Sequence, residues 1–264
     1  MVKNLWKKID KYNLAENFIN PEALRSLARG LTGRPSDIFI PAEPPDSGET
    51  TVLVHGLFHR AAVMRNFAKT LAAHHQQCVC YDYPTTRTDI AGSAAGLKRF
   101  LKTLLDSAPE RKINLVTHSL GGLIVRAALT APDDPLPPER FKYIVMLAPP
   151  NHGSEAARRA AEKLPNLSKW LVKPLCDLSD AAGSAANLLP EPDRFRIGII
   201  AGNFDKRVTI KSTKLKGQCD FIAVPCGHSF MMHNPEVQRQ TVCFLAGGRF
   251  SRPAAAETEK SEQQ

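Results

Sequence analysis

An extended run, Ile113–Thr117, passes through His118 and Ser119 directly into an apolar helix, Leu120–Leu129. Gly121 and Gly122 stand at the junction, where strand and helix must approach backbone to backbone. A buried strand followed at once by a buried helix needs a sheet covered by helices. The same alternation recurs along the chain. Thr51–Val54 reads as a strand ending at His55-Gly56, and Val63, Met64, Phe67, Ala68 and Leu71 share one helix face. Cys78–Asp82 is a second strand, and Ile90, Ala94, Leu97, Leu101 and Leu104 follow helical spacing. Phe141–Ala148, Arg196–Ala201 and Phe221–Pro225 continue the strands. Asn234-Pro235-Glu236 opens a last helix, with a capping side chain, a proline in the first turn and an acid beside it. The pattern predicts an α/β chain with a mostly parallel central sheet covered by helices on both faces.

Residues 154–195 break this rhythm. Pro165, Pro174, Pro190 and Pro192 interrupt Leu164, Leu167, Trp170, Leu171 and Leu175, which predicts a cap insertion of short helices above the sheet. Residues 1–50 read as an N-terminal helical arm and linker. Val2, Leu5, Trp6 and Ile9 lie among Lys3, Lys7, Lys8 and Lys11, a basic amphipathic stretch. Such a stretch lies on its own domain or on a membrane surface. Residues 51–250 form the main domain. Residues 251–264 are small and polar and are expected to be disordered.

At 264 residues and 43% hydrophobic, the chain can bury one full core without staples. It has no apolar run long enough to span a bilayer and no apolar core of a secretory signal. The cysteines at 78, 80, 176, 219, 226 and 243 have neither CxxC nor Cys/His metal spacing. They are expected to be reduced, mostly buried thiols of a cytoplasmic protein, with no metal and no cofactor. The net charge of +9 attracts anionic surfaces, so a peripheral contact with the inner membrane surface is a secondary expectation. No basic-and-aromatic platform is present, which argues against nucleic acid. The sequence has no signature of oligomeric state.

Ser119 sits where a strand turns sharply into a helix, the context of a nucleophile elbow, G-x-S-x-G. Thr117 stands in place of the first glycine. Alone, this could be a glycine-rich turn with an idle serine. Three features argue otherwise. His55-Gly56-Leu57 follows a strand, so its backbone can offer an N–H to the nucleophile beside that of Leu120. His228 follows the last strand, where a general base would hang over the sheet edge. Asp205 directly follows the strand Arg196–Ala201 and can orient that base. His233 is the rival base. Asp220 should face away, and Asp177, Asp180 and Asp193 should be solvated. Phe58, His118, Trp170 and Phe230 are the substrate-contact candidates. The basic run Lys206, Arg207, Lys211, Lys214 and Lys216 is a solvated face, or a site for anionic head groups or acidic substrates.

The chain resembles bacterial α/β-hydrolase-fold proteins of the lipase and esterase type over about residues 50–250. The resemblance rests on Val54-His55-Gly56-Leu57, Asp82-Tyr83-Pro84-Thr85-Thr86-Arg87, Thr117-His118-Ser119-Leu120-Gly121-Gly122, Leu147-Ala148-Pro149-Pro150-Asn151-His152-Gly153-Ser154 and Gly227-His228-Ser229-Phe230-Met231-Met232. It implies a serine hydrolase that cleaves carboxylic esters or lipids through an acyl-enzyme on Ser119. Asp205 and His228 would complete the triad, and Leu57 would supply an oxyanion donor with Leu120. An acyltransferase or thioesterase uses the same triad. A catalytically silent binding protein is the alternative from another class.

Overall fold

The computed structural model describes residues 36–163 and 174–252. The expected N-terminal helical arm through residue 35, Trp170 and the tail from residue 253 fall outside the described residues. The core is a seven-stranded sheet: β1 Ile38–Ile40, β2 Glu49–Val54, β3 Gln77–Tyr81, β4 Lys112–His118, β5 Phe141–Leu147, β6 Ile197–Gly202 and β7 Asp220–Val224. Its spatial order is β1-β3-β2-β4-β5-β6-β7. All neighbours are parallel except β1, which runs antiparallel to β3. Residues 38–40 were read within the linker, but they form this edge strand.

Strand side chains alternate, and each alternate set finds its own helices. On one face Val52, Val54, Leu115, Ile144, Met146, Ile197 and Ile199 pack against α2, Ile90–Ser107, and α3, Leu120–Thr130. On the other, Leu53, Val116, Val145, Leu147 and Ile200 pack against α1, Arg65–Ala72, and α8, Pro235–Gly247. A 3₁₀ turn at Ala61–Met64 leads into α1. Only Cys78 and Cys80 are buried; Cys176 and Cys219 are exposed and the other two half-buried, contrary to expectation. Those four lie outside the central strands, where no sheet covers them.

The insertion contributes the short helices α4, Glu155–Lys163, α5, Pro174–Asp177, and α6, Ala185–Leu188. Arg126 of α3, fully buried, donates to the carbonyls of Asn151, Ala186, Leu189 and Pro190. Those bonds fasten the returning limb of the insertion to the helix behind Ser119. A further short helix, α7, Ile210–Thr213, follows β6.

After β2 the chain moves to β3 on one side, then returns to place β4 on the other. That reversal opens a crevice at the carboxyl ends of β2 and β4, where open α/β sheets build sites.

Candidate active site

Three loops meet over this crevice. Ser119 lies between β4 and α3 with φ +52° and ψ −122°, a conformation that a non-glycine residue adopts only under constraint. The constraint is visible. Ser119 N–H donates to Leu147 O at 2.9 Å, and Gly122 N–H donates to Ser119 O at 2.9 Å. A Cβ on Gly121 would come within 2.6 Å of Val54 O and 2.7 Å of His55 O. Only glycine lets α3 start so close to β2. The departure at Thr117 leaves its hydroxyl buried without a hydrogen-bond partner.

His228 hangs from the loop after β7. Its Nε2 lies 2.9 Å from Ser119 Oγ, and its Nδ1 lies 2.6 Å from Asp205 Oδ2. The other Asp205 oxygen accepts the backbone N–H groups of Arg207 and Val208 at 2.8 and 2.9 Å. The carboxylate is therefore held at both ends, an Asx-type turn on one side and imidazole on the other. The acid and base loops are also tied by backbone, since Phe204 N–H donates to Cys226 O at 3.1 Å.

His118 is buried beside the nucleophile, and its Nε2 lies 3.0 Å from His228 O. A carbonyl only accepts, so Nε2 carries the proton. Burial, with His228 and His59 nearby, pushes the His118 imidazole well below its usual range. His59 is pushed down to about 3, chiefly by burial and then by His55 and His228. Both rings are neutral at pH 7, and each leaves its buried Nδ1 unpartnered.

The loop after β2 passes directly alongside. A Cβ on Gly56 would sit 2.9 Å from His118 Nδ1 and 3.1 Å from Ser119 Cβ. Leu57 and Phe58 follow in the cavity wall, and Phe58 N–H donates to Thr85 Oγ1 at 3.1 Å.

Asp82 fastens this loop from behind. It takes Arg60 Nε at 2.9 and 2.8 Å, Arg60 Nη2 at 2.5 Å, His55 Nε2 at 3.1 Å and the N–H groups of Ala61 and Ser36 at 2.9 Å each. Burial alone would raise this carboxyl, but the donors from His55, Arg60 and the backbone hold it well below the usual carboxylate range. A carboxyl lowered in the folded state adds stability above its unfolded pKa of about 3.9, lost as pH falls toward the folded value. Asp82→Asn is therefore expected to cost about 3–5 kcal/mol at pH 7, because it removes the negative member of a buried, hydrogen-bonded ion pair. Urea unfolding from pH 7 to pH 3 checks this. The gap between the two proteins should narrow below pH 4, and a gap independent of pH would exclude the carboxylate as its source.

A cavity of about 380 Å³ opens over Ser119 and His228, lined also by Phe58, His59 and His118. Phe230 is half exposed and is not among the residues lining that cavity. Trp170 lies outside the described residues. His233 is exposed and makes no side-chain bond to Ser119 or Asp205 among the described residues. Asp220 turns to Phe250 N–H and Arg252 at the opposite end of its strand. Sequence reasoning did not single out Asp82, Arg60, His59 or Thr85 as site supports. The quoted Asp82–Arg87 segment was the signal for two of them. No group of three or more His, Cys, Asp or Glu that could hold a metal ion occurs among the described residues. No described helix is long and apolar enough to cross a membrane.

A family model described as alpha/beta hydrolase fold matches residues 51–170. No curated protein sequence matches the chain. Among solved structures, the Bacillus licheniformis lipase BlEst2 in propeptide form is similar, with TM-score 0.59 and 19% identity over 74% of this chain. The match covers 50% of that form, so the chain spans half its length. The mature form of the same lipase matches with TM-score 0.57 and 19% identity, over 74% of this chain and 91% of that one. The Paleococcus ferrophilus monoacylglycerol lipase matches with TM-score 0.57 and 15% identity, over 81% of this chain and 99% of that one. At these identities the likeness is one of fold.

Proposed function

The chain has the α/β-hydrolase fold, and from that premise we propose that it is a serine hydrolase cleaving carboxylic esters through an acyl-enzyme on Ser119. The observation that carries this reading is the unbroken hydrogen-bond chain Ser119 Oγ, His228, Asp205, at 2.9 and 2.6 Å.

A serine hydroxyl attacks an ester only when a base takes its proton. His228 Nε2 takes it as Ser119 Oγ bonds to the carbonyl carbon. Asp205 keeps the other imidazole proton on Nδ1 and stabilises the imidazolium that forms. The N–H groups of Leu57 and Leu120 receive the developing oxyanion, and the positive end of α3 adds to the field there. His228 then returns the proton to the departing alcohol. Water, deprotonated by the same imidazole, attacks the acyl-enzyme and frees the acid. His118, through the His228 carbonyl, keeps the base loop in register with the elbow.

The test is turnover of p-nitrophenyl esters from C2 to C16, with the protein's intact mass read during steady state. The expected result is hydrolysis at some chain length, with an adduct of acyl mass on the peptide that contains Ser119. No turnover at any length and no adduct would overturn the reading.

A further inference from the structure

His59 is a buried imidazole in the cavity wall that the proposed reaction does not use. It closes a four-residue turn after β2, where its N–H donates to Gly56 O at 3.3 Å and Phe58 takes φ +64°. That φ is costly for a phenylalanine, and such costs gather where a loop must present a group in one place. The turn folds the ring back beside the elbow, its centre 6.1 Å from that of His118. The neighbouring rings are accounted for. His118 bonds to His228 O, and His55 bonds to Asp82 and Gly56 O. Neither ring nitrogen of His59 makes a hydrogen bond among the described residues. Its Nδ1 is shut in without a partner, and Nε2 is the nitrogen left to the cavity. A buried N–H without an acceptor is rarer and costlier than a bare lone pair, so the proton belongs on Nε2. Burial keeps the ring neutral. The wall therefore offers an uncharged donor close to the nucleophile.

We infer that His59 Nε2–H binds a hydroxyl oxygen of the substrate, so that the cavity selects hydroxyl-bearing esters over plain alkyl esters. This rests on the ester-hydrolase reading and names a specificity-determining residue and a substrate class for it. In that reading the scissile carbonyl oxygen already takes the N–H groups of Leu57 and Leu120. The partner of His59 is then a second oxygen, on the alcohol or on the acyl chain. A hydroxyl there accepts from the ring, and its own hydrogen stays free for water in the open cavity. A methyl group in the same place leaves the N–H dry and unpaired. A site built to hydrogen-bond a substrate oxygen rejects the analogue lacking it far more strongly than an apolar pocket rejects an added group. The volume of about 380 Å³ is near the low end for small-molecule sites, roughly 300–1,000 Å³, and suits a compact ester.

The first arm of the test needs no turnover. Full-length Ser119→Ala protein with nitrogen-labelled imidazoles is followed by NMR against two matched pairs. The alcohol-side pair is 2-hydroxyethyl hexanoate and propyl hexanoate; the acyl-side pair is ethyl 3-hydroxyhexanoate and ethyl hexanoate. The His59 signals, assigned by their loss on adding His59→Phe, should show the proton on Nε2. A hydroxyl ester should move that resonance at a concentration where its plain partner does not. A proton on Nδ1, or equal movement by all four esters, would overturn the inference. The second arm compares kcat/KM within each pair, with Ser119 intact. One pair should favour its hydroxyl ester by about tenfold or more, and which pair does so places the hydroxyl on the alcohol or the acyl side. His59→Phe should bring that ratio to within about twofold of unity, with His59→Leu in its place should phenylalanine not fold. His59→Gln, whose amide restores a donor, should recover part of the ratio. Ratios near one in both pairs, or a ratio that no variant moves, would overturn the inference. A selective NMR response with no turnover of any ester would keep the His59 site and sink the hydrolase reading. Turnover without selectivity would do the reverse.

Discussion

Ser119→Ala is expected to lower kcat for a p-nitrophenyl ester on the order of 10⁶-fold. The side chain does one thing in the structure, a hydrogen bond to His228 Nε2 at 2.9 Å. Removing it takes away the atom that would bond to the acyl carbon, and no neighbour replaces it. His118 and His59 are buried neutral rings, and Thr117 is turned into the core. The residual rate should be that of a site with oxyanion donors but no nucleophile, still above water alone. The fold should be untouched. Alanine inherits the positive φ of Ser119 with no added side-chain bulk, so the elbow is no more strained than before. Thermal unfolding beside single-turnover kinetics checks both halves. Activity within tenfold of wild type in a pure sample would remove Ser119 from the reaction.

Asp205→Asn is expected to reduce kcat by roughly 10⁴ with little change in KM. The reason lies in which oxygen is already engaged. Asp205 Oδ1 accepts the N–H groups of Arg207 and Val208. An asparagine oxygen must take that place, because its amide group cannot accept from two donors. The NH₂ then faces His228 Nδ1. That nitrogen becomes the acceptor, and the ring proton moves to Nε2, where it opposes the Ser119 hydroxyl. The base is held in place in the wrong tautomer. Asp205 does not line the cavity, so ground-state binding should survive. A loss expressed mainly in KM would show that the carboxylate acts on substrate and not on His228.

The central sheet was legible because its strands are apolar and lead into amphipathic helices, and the structure has that sheet. The order Ser119, Asp205, His228 was legible because each follows a strand, and the structure brings the three side chains into hydrogen-bond contact. β1 was not legible. Three residues at an edge, with Phe39 exposed, leave no periodicity to read. Asp82 read as the end of a strand and as part of a family-like segment, but not as a site support, since its partners Arg60 and His55 lie 22 and 27 residues away. Local patterns carry no trace of such pairings. Arg207 read as one of a basic run that was either a solvated face or a site for anionic groups, with nothing to separate it from its neighbours. The Asx-type turn at Asp205 brings it, with Lys206, to the cavity. Phe230 was a substrate-contact candidate. The chain buries Met231 and Met232 in the next turn and leaves Phe230 outside.

The glycines at the crevice have a consequence for how such a site can change over generations. Gly56 and Gly121 leave no space for a single added carbon, because backbone or catalytic atoms already fill it. Every substitution at that rim disturbs the nucleophile. The opposite rim is built from α4 and the limb around α5, whose lining side chains are mostly small or charged and partly exposed. Mutation can resurface that rim one residue at a time while the reacting groups stay still. The molecule thus has a sterically constrained half and a permissive half facing each other across one cavity. A library confined to Ala156, Arg159, Ala160 and Lys163 would explore new substrates with little risk to the chemistry.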